Sequence, residues 1–332
     1  MKGIFGGDVN IQLRAEPADA FVGIRDVLAK ADFRFVNLEG PLCGQGLAVA
    51  HKPNWTHADP AMVDALTWAG IDVVSCANNV TFPAAAVVTS LQVLDRAGIA
   101  HCGAGHDLAA ARRPAVLQRE GKSVAFQAYS SICWPFEHAA TATAPGIVPM
   151  RAVTSYIPDP RVAEVPGAAP TVITTPFADE LQALVADVEN ARKDHDHVVV
   201  SVHWGVPGTA IANYQYAVAH AAVRAGADIV IGHGPHSIQP VEVYRGRPIF
   251  YSLGNLVFDW PVMHNRHMEG LLVEYDFDGT VTIIPTARDG HNTAQPLDGD
   301  PAIDLLENLA AISAPLGTTI TRDGNYGVLR LS

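Results

Sequence analysis

The segment IVIGHGPHS, residues 229–237, joins an apolar run to two histidines. The apolar run has the composition of a buried strand, and it ends at Gly232. His233 and His236 follow, with a glycine and a proline between them. Such a segment is either a metal-binding loop at the end of a strand or a polar turn that contains two histidines. The segment itself leaves both interpretations open, and the rest of the chain has to separate them.

The same pattern, an apolar run that ends in polar residues, recurs along the chain. Segments with the apolar spacing of helices lie between these runs. The predicted strands span residues 2–7, 33–38, 71–76, 198–202 and 228–231. The predicted helices span residues 18–31, 60–68, 84–97, 179–193, 214–225 and 301–313. A hairpin is predicted at 115–128, and antiparallel strands between 241 and 285. This alternation predicts an α/β fold with a mostly parallel sheet covered by helices.

The composition is typical of a globular protein with an acidic surface. The 332 residues are 48% hydrophobic and 17% charged, with a net charge of −12. That charge disfavours nucleic acid as a partner. No apolar run approaches the roughly 20 residues of a membrane span, and the N-terminus lacks the pattern of a signal peptide. We therefore predict a cytoplasmic protein without a membrane span, whose oligomeric state the sequence leaves open.

Residues 130–176 interrupt the alternation. They are rich in alanine, proline and threonine and contain the aromatic residues Trp134 and Phe136. A long stretch without regular structure inside a compact domain is usually functional. We predict one domain over residues 1–332 in which this insertion forms a lid over the site. The alternative is that its aromatic residues only attach the loop to the core.

Residues of the types that bind metals follow five of the predicted strands. They are Asp8 with Asn10, Asn37 with Glu39, Asn78 with Asn79, His203, and His233 with His236. Each alone would fit a cap, a turn or a core histidine. The carboxyl ends of parallel strands, however, lie together at one edge of a sheet. Burying such groups without partners would cost roughly 1–3 kcal/mol each. We therefore predict a site for one or two divalent metal ions, Mn, Zn, Fe or Ca, at that edge.

Six motifs in order resemble the poly-γ-glutamate capsule synthesis CapA family. They are GD (7–8), NLEGPL (37–42), ANN (77–79), HWG (203–205), GHGPH (232–236) and YSLGN (251–255). The resemblance implies the calcineurin-like metallophosphoesterase fold, in which β-sheets form a sandwich flanked by helices. It also implies that the metal ligands are Asp8, Asn10, Glu39, Asn79, His203, His233 and His236. By the same resemblance, the substrate would be held by Lys52, Trp204 and Asn78.

One position departs from the family. The usual motif is Ala-Asn-Asn-His, and the superfamily uses that histidine as a proton donor, but this chain has Val80. Loss of a general acid costs roughly 10²–10⁴-fold in rate. His291 is a candidate replacement, acting together with Asp8 as a catalytic pair. His264 and His267 are further candidates, and each of these histidines would otherwise belong to a surface loop.

The sequence thus predicts a metal-dependent hydrolase of an amide or unusual peptide bond, with a peptide or γ-glutamyl compound as substrate. A metal would polarise the carbonyl and activate water. The first alternative is a metal-dependent peptide epimerase in peptide natural-product biosynthesis, with Asp8 and His291 as its acid and base. A capsule-biosynthesis accessory protein and a phosphodiesterase are further alternatives. The valine at position 80 argues against the phosphodiesterase.

Overall fold

Strands contain more of the described residues than helices do. The structure is a computed structural model that describes residues 1–44, 56–263 and 265–331. In chain order its strands are β1 (Lys2–Asn10), β2 (Phe33–Leu38), β3 (Val73–Ser75), β4 (Ala100–Cys102), β5 (Ala104–Gly105), β6 (Ala115–Arg119), β7 (Lys122–Ser130), β8 (Gly146–Ile147), β9 (Ala152–Ile157), β10 (Thr171–Pro176), β11 (His197–His203), β12 (Ile229–His233), β13 (Val241–Tyr244), β14 (Arg247–Phe250), β15 (Asn255–Phe258), β16 (Glu269–Asp276), β17 (Thr280–Arg288), β18 (Ala294–Pro296), β19 (Ile320–Asp323) and β20 (Tyr326–Arg330).

The helices are fewer and lie between the strands. They are α1 (Arg25–Leu28), α2 (Val63–Ala69), α3 (Ala84–Ala97), α4 (Leu108–Ala111), α5 (Ala178–Asp194), α6 (Asn213–Ala225) and α7 (Asp300–Ser313). Short 3₁₀ turns span Pro17–Ala20, Val22–Ile24, Pro60–Met62, Pro261–Met263 and Ala314–Leu316. The predicted α/β class is confirmed, although the sheets are mixed and not mostly parallel, and α3 has the bounds that the sequence predicts. Within the described residues, no helix is long and apolar enough to cross a bilayer.

Two large mixed sheets organise the described part of the chain. The first has the order β19-β20-β17-β16-β1-β2-β3-β4, with β15 also paired to β1 and β18 to β17. The second has the order β13-β14-β12-β11-β7-β6. Strands β1 to β4 run parallel, as do β7, β11, β12 and β14. The prediction of one sheet edge is therefore wrong, because the strands that carry the predicted ligands divide between two sheets.

Aromatic side chains join the two sheets through a shared core. Phe35 of β2 stacks on Phe126 of β7 with ring centroids 5.6 Å apart, and Phe33 meets the same ring edge-on at 5.4 Å. Such pairs contribute about 0.5–1.5 kcal/mol each beyond the area they bury. The cluster also takes in Val199 and Ile231 from the second sheet. The inner strands are thus buried on both faces, which explains their continuous apolar sequences.

Helices cover the outer face of each sheet. Leu66 of α2 and Leu91 of α3 join the cluster of the first sheet, whereas α5 and α6 join that of the second through Leu184 and Val218. Neighbouring residues of a strand point to opposite faces, so Val36 faces these helices while Phe35 faces the shared core. This layering brings the carboxyl ends of β1, β2, β11 and β12 to the same region.

Two predicted segments differ from the structure. The helix predicted at 18–31 is broken into two 3₁₀ turns and the four-residue α1. Gly23 lies at the break, where an added Cβ would come within 2.0 Å of Gln295 Oε1, so the chain passes too close to β18 for a regular helix. The insertion at 130–176 is not structureless, because β9 and β10 form a hairpin within it. Its run of valine, threonine and isoleucine is the β-strand signal that the prediction missed.

Candidate metal centre

Strand register brings the first acidic residue of the site between two asparagines. Asp8 of β1 is paired with Asn37 of β2 and with Asn255 of β15, and the register of both pairings shifts beside it. Such irregularities re-aim side chains at the end of a strand. Asn37 Nδ2 donates a hydrogen bond to Asp8 Oδ1 at 2.8 Å and lies 3.3 Å from His203 Nδ1. Asn37 therefore connects the two sheets at this point.

Asp8, Glu39 and His236 form the centre of the site. Each offers a ligand atom, and these atoms all lie within 4.8 Å of one another. His236 Nδ1 is 3.5 Å from Asp8 Oδ2, and His236 Nε2 is 3.7 Å from Glu39 Oε1. Both carboxylates are almost completely buried. One divalent cation would neutralise this pair and bring all three side chains within bonding distance.

A neighbouring amide fixes the tautomer of His236. The Asn255 Oδ1 atom lies 2.9 Å from His236 Nδ1, and an amide oxygen can only accept a hydrogen bond. The Nδ1 atom therefore carries the proton, and Nε2 presents its lone pair towards Glu39. Histidines that bind metals are commonly held in this way by an oxygen acceptor on the far nitrogen.

The loop after β12 adopts a conformation that few sequences allow. Gly234 has φ +102°, and an added Cβ would lie 2.9 Å from Trp204 O and 3.0 Å from His203 Nε2. The Gly234 amide donates a hydrogen bond to Asp8 Oδ2 at 3.2 Å. His236 itself has φ +55°, a left-handed conformation that costs energy in a non-glycine residue. The glycines of IVIGHGPHS therefore let this loop fold tightly over Asp8.

The histidines and carboxylates of the site perturb one another's pKa values. Burial raises the pKa of Asp8, but the neighbouring His233, together with His203 and His236, holds that pKa well below its usual value. Burial and the nearby Asp8 raise the pKa of Glu39. Burial lowers the pKa of His203 to about 3, against the pull of Asp8. His203 is thus neutral at physiological pH, the form that binds metals.

Several buried polar atoms of the site lack a hydrogen-bond partner among the described residues. They are Glu39 Oε2, Asn79 Oδ1, His203 Nε2, His233 Nδ1 and His233 Nε2. His233 Nδ1 lies 3.4 Å from Asp8 Oδ1. Buried polar atoms are nearly always paired, so a cluster of unpaired polar atoms requires an explanation. Mixed imidazole and oxygen donors suit Zn, Mn or Fe, and the residues present therefore fit a divalent metal.

A cavity of about 160 Å³ opens beside these ligands. Its lining includes Glu39, Asn79 and His236, together with Val80 and His57. His57 Nε2 lies 2.9 Å from the carbonyl oxygen of Phe82, so Nε2 carries the proton and the neutral ring has its lone pair on Nδ1. His57 is a residue that the strand-end pattern could not reveal, because no strand is predicted directly before it in the sequence. A histidine lies in this cavity even though position 80 is a valine.

Asn10 lies beside the cluster with its amide already engaged. Its Nδ2 donates to the carbonyl oxygen of Glu39 at 2.6 Å, and its Oδ1 accepts from Gln12 Nε2 at 2.9 Å. The amide oxygen keeps a second lone pair, so the residue can still approach a cation. Gln12 and Asn255 support the site although neither was predicted as a site residue. In the sequence, Gln12 is marked only by its position after the first strand, and Asn255 only by its place in the YSLGN motif.

Two residues predicted to hold substrate are instead structural. Trp204 is completely buried, its indole N–H donates to the carbonyl oxygen of Tyr251 at 2.8 Å, and its ring stacks on that tyrosine. Asn78 is also completely buried, and its Oδ1 accepts from the backbone and hydroxyl of Thr81. Neither side chain can contact a substrate in this arrangement. The large ring of Trp204 packs in the core, and the amide of Asn78 stabilises a turn.

The three histidines predicted as replacements for the missing histidine lie at different places in the chain. His291 is exposed on the turn between β17 and β18 and lines surface depressions with Arg14, but it does not line the cavity beside the ligand cluster. The prediction that it acts with Asp8 is therefore not supported by its position. His267 is exposed and lies 3.1 Å from Ser237 Oγ, in a second cavity that also contacts His236. Lys52 and His264 lie outside the described residues.

Comparison with known proteins places the chain in a family. The profile described as "Bacterial capsule synthesis protein PGA_cap" matches residues 4–260. This chain therefore belongs to the family of bacterial capsule synthesis proteins, and the resemblance seen in its motifs is confirmed.

Individual relatives are moderately similar. A probable polyglutamine synthesis accessory protein of Mycobacterium tuberculosis is 34% identical over 236 residues, covering 69% of this chain and 56% of that protein. The PGA biosynthesis protein CapA of Bacillus subtilis is 27% identical over 297 residues, covering 84% of this chain and 67% of that protein. The chain thus spans little more than half the length of its mycobacterial relative. Among solved structures, a novel phosphatase from Mycoplasma pneumoniae has a TM-score of 0.45 and 12% identity, covering 89% of this chain and 90% of that chain.

Proposed function

We propose that this protein is a metal-dependent enzyme that hydrolyses an amide bond of a peptide-like substrate. The observation that carries the proposal is the buried cluster of Asp8, Glu39 and His236, surrounded by unpaired polar atoms of Asn79, His203 and His233. The two sheets with their outer helices agree with a calcineurin-like metallophosphoesterase sandwich, which we infer as the fold. The names of the relatives, with the motif resemblance to the poly-γ-glutamate capsule family, make a γ-glutamyl amide one of two substrates to test, the other being an uncharged peptide. They also support a role accessory to capsule synthesis.

The ligand set suits one or two divalent ions. Asp8, Glu39 and His236 would hold one ion, with Asn10 at its edge. Asn79, His203 and His233 would hold a second. A divalent metal in this site supplies Lewis-acid polarisation of a carbonyl oxygen. Mn²⁺, Zn²⁺ and Fe²⁺ suit this mixture of nitrogen and oxygen donors better than Ca²⁺, which prefers oxygen alone.

His57 is the side chain best suited to move the proton. Its neutral ring has a lone pair on Nδ1 that accepts no hydrogen bond from the described residues, while the Phe82 carbonyl oxygen holds Nε2. Burial lowers its pKa, and the Phe82 carbonyl partly offsets that effect, so the ring is neutral near pH 7 and can accept a proton. During hydrolysis, water adds its oxygen to the carbonyl carbon and the C–N bond breaks. His57 Nδ1 accepts one proton from the water and delivers it to the leaving nitrogen.

Peptide epimerisation is the second candidate, and one observation favours it. Two cavities meet at His236, and each contains another histidine, His57 in one and His267 in the other. Epimerisation needs one group to remove the α-proton and a second group to return a proton on the other face. Two histidines on separate walls could fill these roles. Hydrolysis remains the primary proposal because it requires only one of them.

A mass-spectrometric assay in D₂O separates the two reactions. The purified chain is loaded with Mn²⁺ or Zn²⁺ and incubated with γ-glutamyl oligomers and with blocked oligopeptides. Hydrolysis yields two fragments that together have gained one water. Epimerisation instead incorporates one deuterium without cleavage.

The controls for this assay come from the site itself. Asp8→Asn keeps the shape of the side chain but removes its charge, so it should abolish either reaction. Asp95→Asn makes the same chemical change at an exposed carboxylate paired with His101, away from the cluster, and should have no effect. If no amide reacts with any of the metals, the proposed enzymatic function is wrong.

A further inference from the structure

A larger cavity of about 590 Å³ shares His236 with the cavity of His57. We call it the α7 cleft, because one wall is helix α7, and its lining includes Ile238, Leu305, Leu309, Ile312, Ser237 and His267. Its volume is within the range of about 300–1,000 Å³ that is typical of small-molecule sites. A molecule in this cleft would contact His236 directly and so reach the ligand cluster.

Five apolar and six polar residues line the cleft, Thr209 and Asn308 among the polar ones, and apolar atoms make up most of its exposed surface. Leu305 and Leu309 come from one face of α7, and Ile312 continues this face one turn later. Ile238 completes the wall immediately after the metal-binding loop. Ser237 Oγ and His267 Nδ1 lie 3.1 Å apart and supply polar atoms beside it. Apolar walls with a few polar groups are typical of sites that bind an apolar side chain and orient the polar backbone attached to it.

The charges around the site do not match a polyanion. Neither the α7 cleft nor the cavity of His57 is lined by lysine or arginine among the described residues, and Glu269 adds a carboxylate to the cleft. Arg288 is buried and donates to the carbonyl oxygens of Phe258 and Arg266, so its charge is engaged. Arg266 is exposed but lines neither cavity. The net charge of −12 disfavours a chain of carboxylates over the surface as a whole, so only a bound metal ion would attract such a chain to this region.

We propose that the α7 cleft binds an apolar side chain of an uncharged, peptide-like substrate, and that γ-glutamyl polymers bind poorly there. The statement that this side chain lies next to the reacting amide rests on the proposed function. The binding itself does not, because the apolar wall requires neither a metal nor a reaction. Ser237 and His267 would bind the backbone amide of the same substrate.

Binding is measured by ligand-observed NMR and by calorimetry, with and without Mn²⁺. The probes are N-acetyl-leucine amide, N-acetyl-phenylalanine amide and tri-γ-glutamate. Ile312→Lys introduces a charge on the cleft wall at a half-buried position. Ala311→Lys introduces the same charge on the exposed side of the same helix and is the matched control. We expect both apolar amides to bind more tightly than tri-γ-glutamate. We also expect Ile312→Lys to weaken their binding at least about tenfold, and Ala311→Lys to leave it unchanged.

Three results would overturn the inference. They are tighter binding of tri-γ-glutamate than of the apolar amides, equal effects of the two lysine variants, and no binding of any probe. The D₂O assay on the same variants separates this inference from the proposed function. Specific binding without any reaction would reject the enzymatic function and keep the cleft. A reaction that is insensitive to Ile312→Lys would keep the function and reject the cleft.

Discussion

Val80 is the residue whose chemistry most directly limits what the site can do. Its isopropyl group lines the cavity that also contains Asn79, His236 and His57. Valine can neither donate nor accept a proton, so a reaction in this cavity needs another group. His57 is attached to the same loop through the Phe82 carbonyl, two residues after Val80. Its presence there explains how a chain with valine at this position could retain acid–base chemistry.

Substitutions at positions 57 and 80 should change the activity of the protein in opposite directions. His57→Gln keeps a donor for the Phe82 carbonyl but removes the base, so amide turnover should fall by roughly 10²–10⁴-fold. Val80→His should raise hydrolysis of an unactivated alkyl phosphodiester, because an alkoxide leaving group needs a proton. Initial rates at saturating Mn²⁺ measure both effects. Rapid hydrolysis of this diester by the wild-type protein would show that the valine does not impair phosphodiester hydrolysis. A phosphodiesterase would then be the preferred function.

The sequence predicted site residues that directly follow a strand, but not site residues contributed by other parts of the chain. Asp8, Glu39 and His236 each follow an apolar run, and their common position beyond a strand indicated that they would lie together. His57 has no such context, and only the folded loop at 78–82 brings it into the cavity. The opposite error occurred at Trp204, where a large polar aromatic residue suggested binding but packing buried it completely.

At the scale of elements, the start of the insertion supports the loop that carries Asn79. Trp134 Nε1 donates to the carbonyl oxygen of Asn79 at 2.9 Å, and His138 packs edge-on against Phe82 with ring centroids 5.4 Å apart. The backbone amide of Trp134 donates to His138 Nδ1 at 3.0 Å. The predicted lid thus has one segment beside the site, whereas the hairpin of β9 and β10 packs on α6 through Thr174. A role of the insertion in selectivity remains a prediction.

His138 should make this segment sensitive to acid. Burial lowers its pKa to about 4, and the backbone of Asn78 and Thr81 offsets this only in part. Below the unfolded pKa of about 6.5 the unfolded chain binds the proton and the folded chain does not, so stability falls as the pH drops from about 6.5 to 4. Between pH 7 and pH 5 this group should cost about 2 kcal/mol in the free energy of unfolding.

Urea unfolding of His138→Gln at both pH values isolates this contribution. Glutamine can still accept the hydrogen bond from Trp134, but it does not titrate. The variant should therefore lose about 2 kcal/mol less than the wild type between pH 7 and pH 5, since the other histidines are common to both proteins. Equal losses in the two proteins would show that His138 is not held in its neutral form.

Helices with strong apolar periodicity were predictable from the sequence. Segments whose conformation depends on contacts with distant parts of the chain were not. The predicted helix at 84–97 coincides with α3, which has a continuous apolar face and ends at Gly98 in the left-handed conformation. The helix predicted at 18–31 also has apolar spacing, but the close approach of β18 at Gly23 breaks it. That contact joins residues far apart in the sequence, so no local pattern could reveal it.

At the scale of the whole molecule, the alternation of strands and helices predicted the class but not the number of sheets. The same βα pattern is compatible with one parallel sheet or with two sheets that face each other. The stacking of Phe35 on Phe126 shows which arrangement the chain adopts, since it joins β2 to β7 across the core. The site follows from this choice, because Asp8 and Glu39 come from one sheet and His203 and His233 from the other.

The central claim is that the residues contributed by the two sheets bind a metal ion. The metal content of matched variants tests this claim most directly. Wild type, His236→Ala and His106→Ala are loaded with Mn²⁺ or Zn²⁺, desalted and measured by elemental analysis. His106 is an exposed histidine outside the ligand cluster. Thermal unfolding checks that all three proteins are folded.

We expect the wild type and His106→Ala to retain one or two equivalents of metal. His236→Ala removes a direct ligand, so its affinity should fall by more than the roughly 10–100-fold that loss of a supporting hydrogen bond costs. It should therefore lose most of its metal during desalting. Equal metal content in folded His236→Ala and wild type, or no metal in any of the three proteins, would contradict the assignment of this cluster as a metal centre.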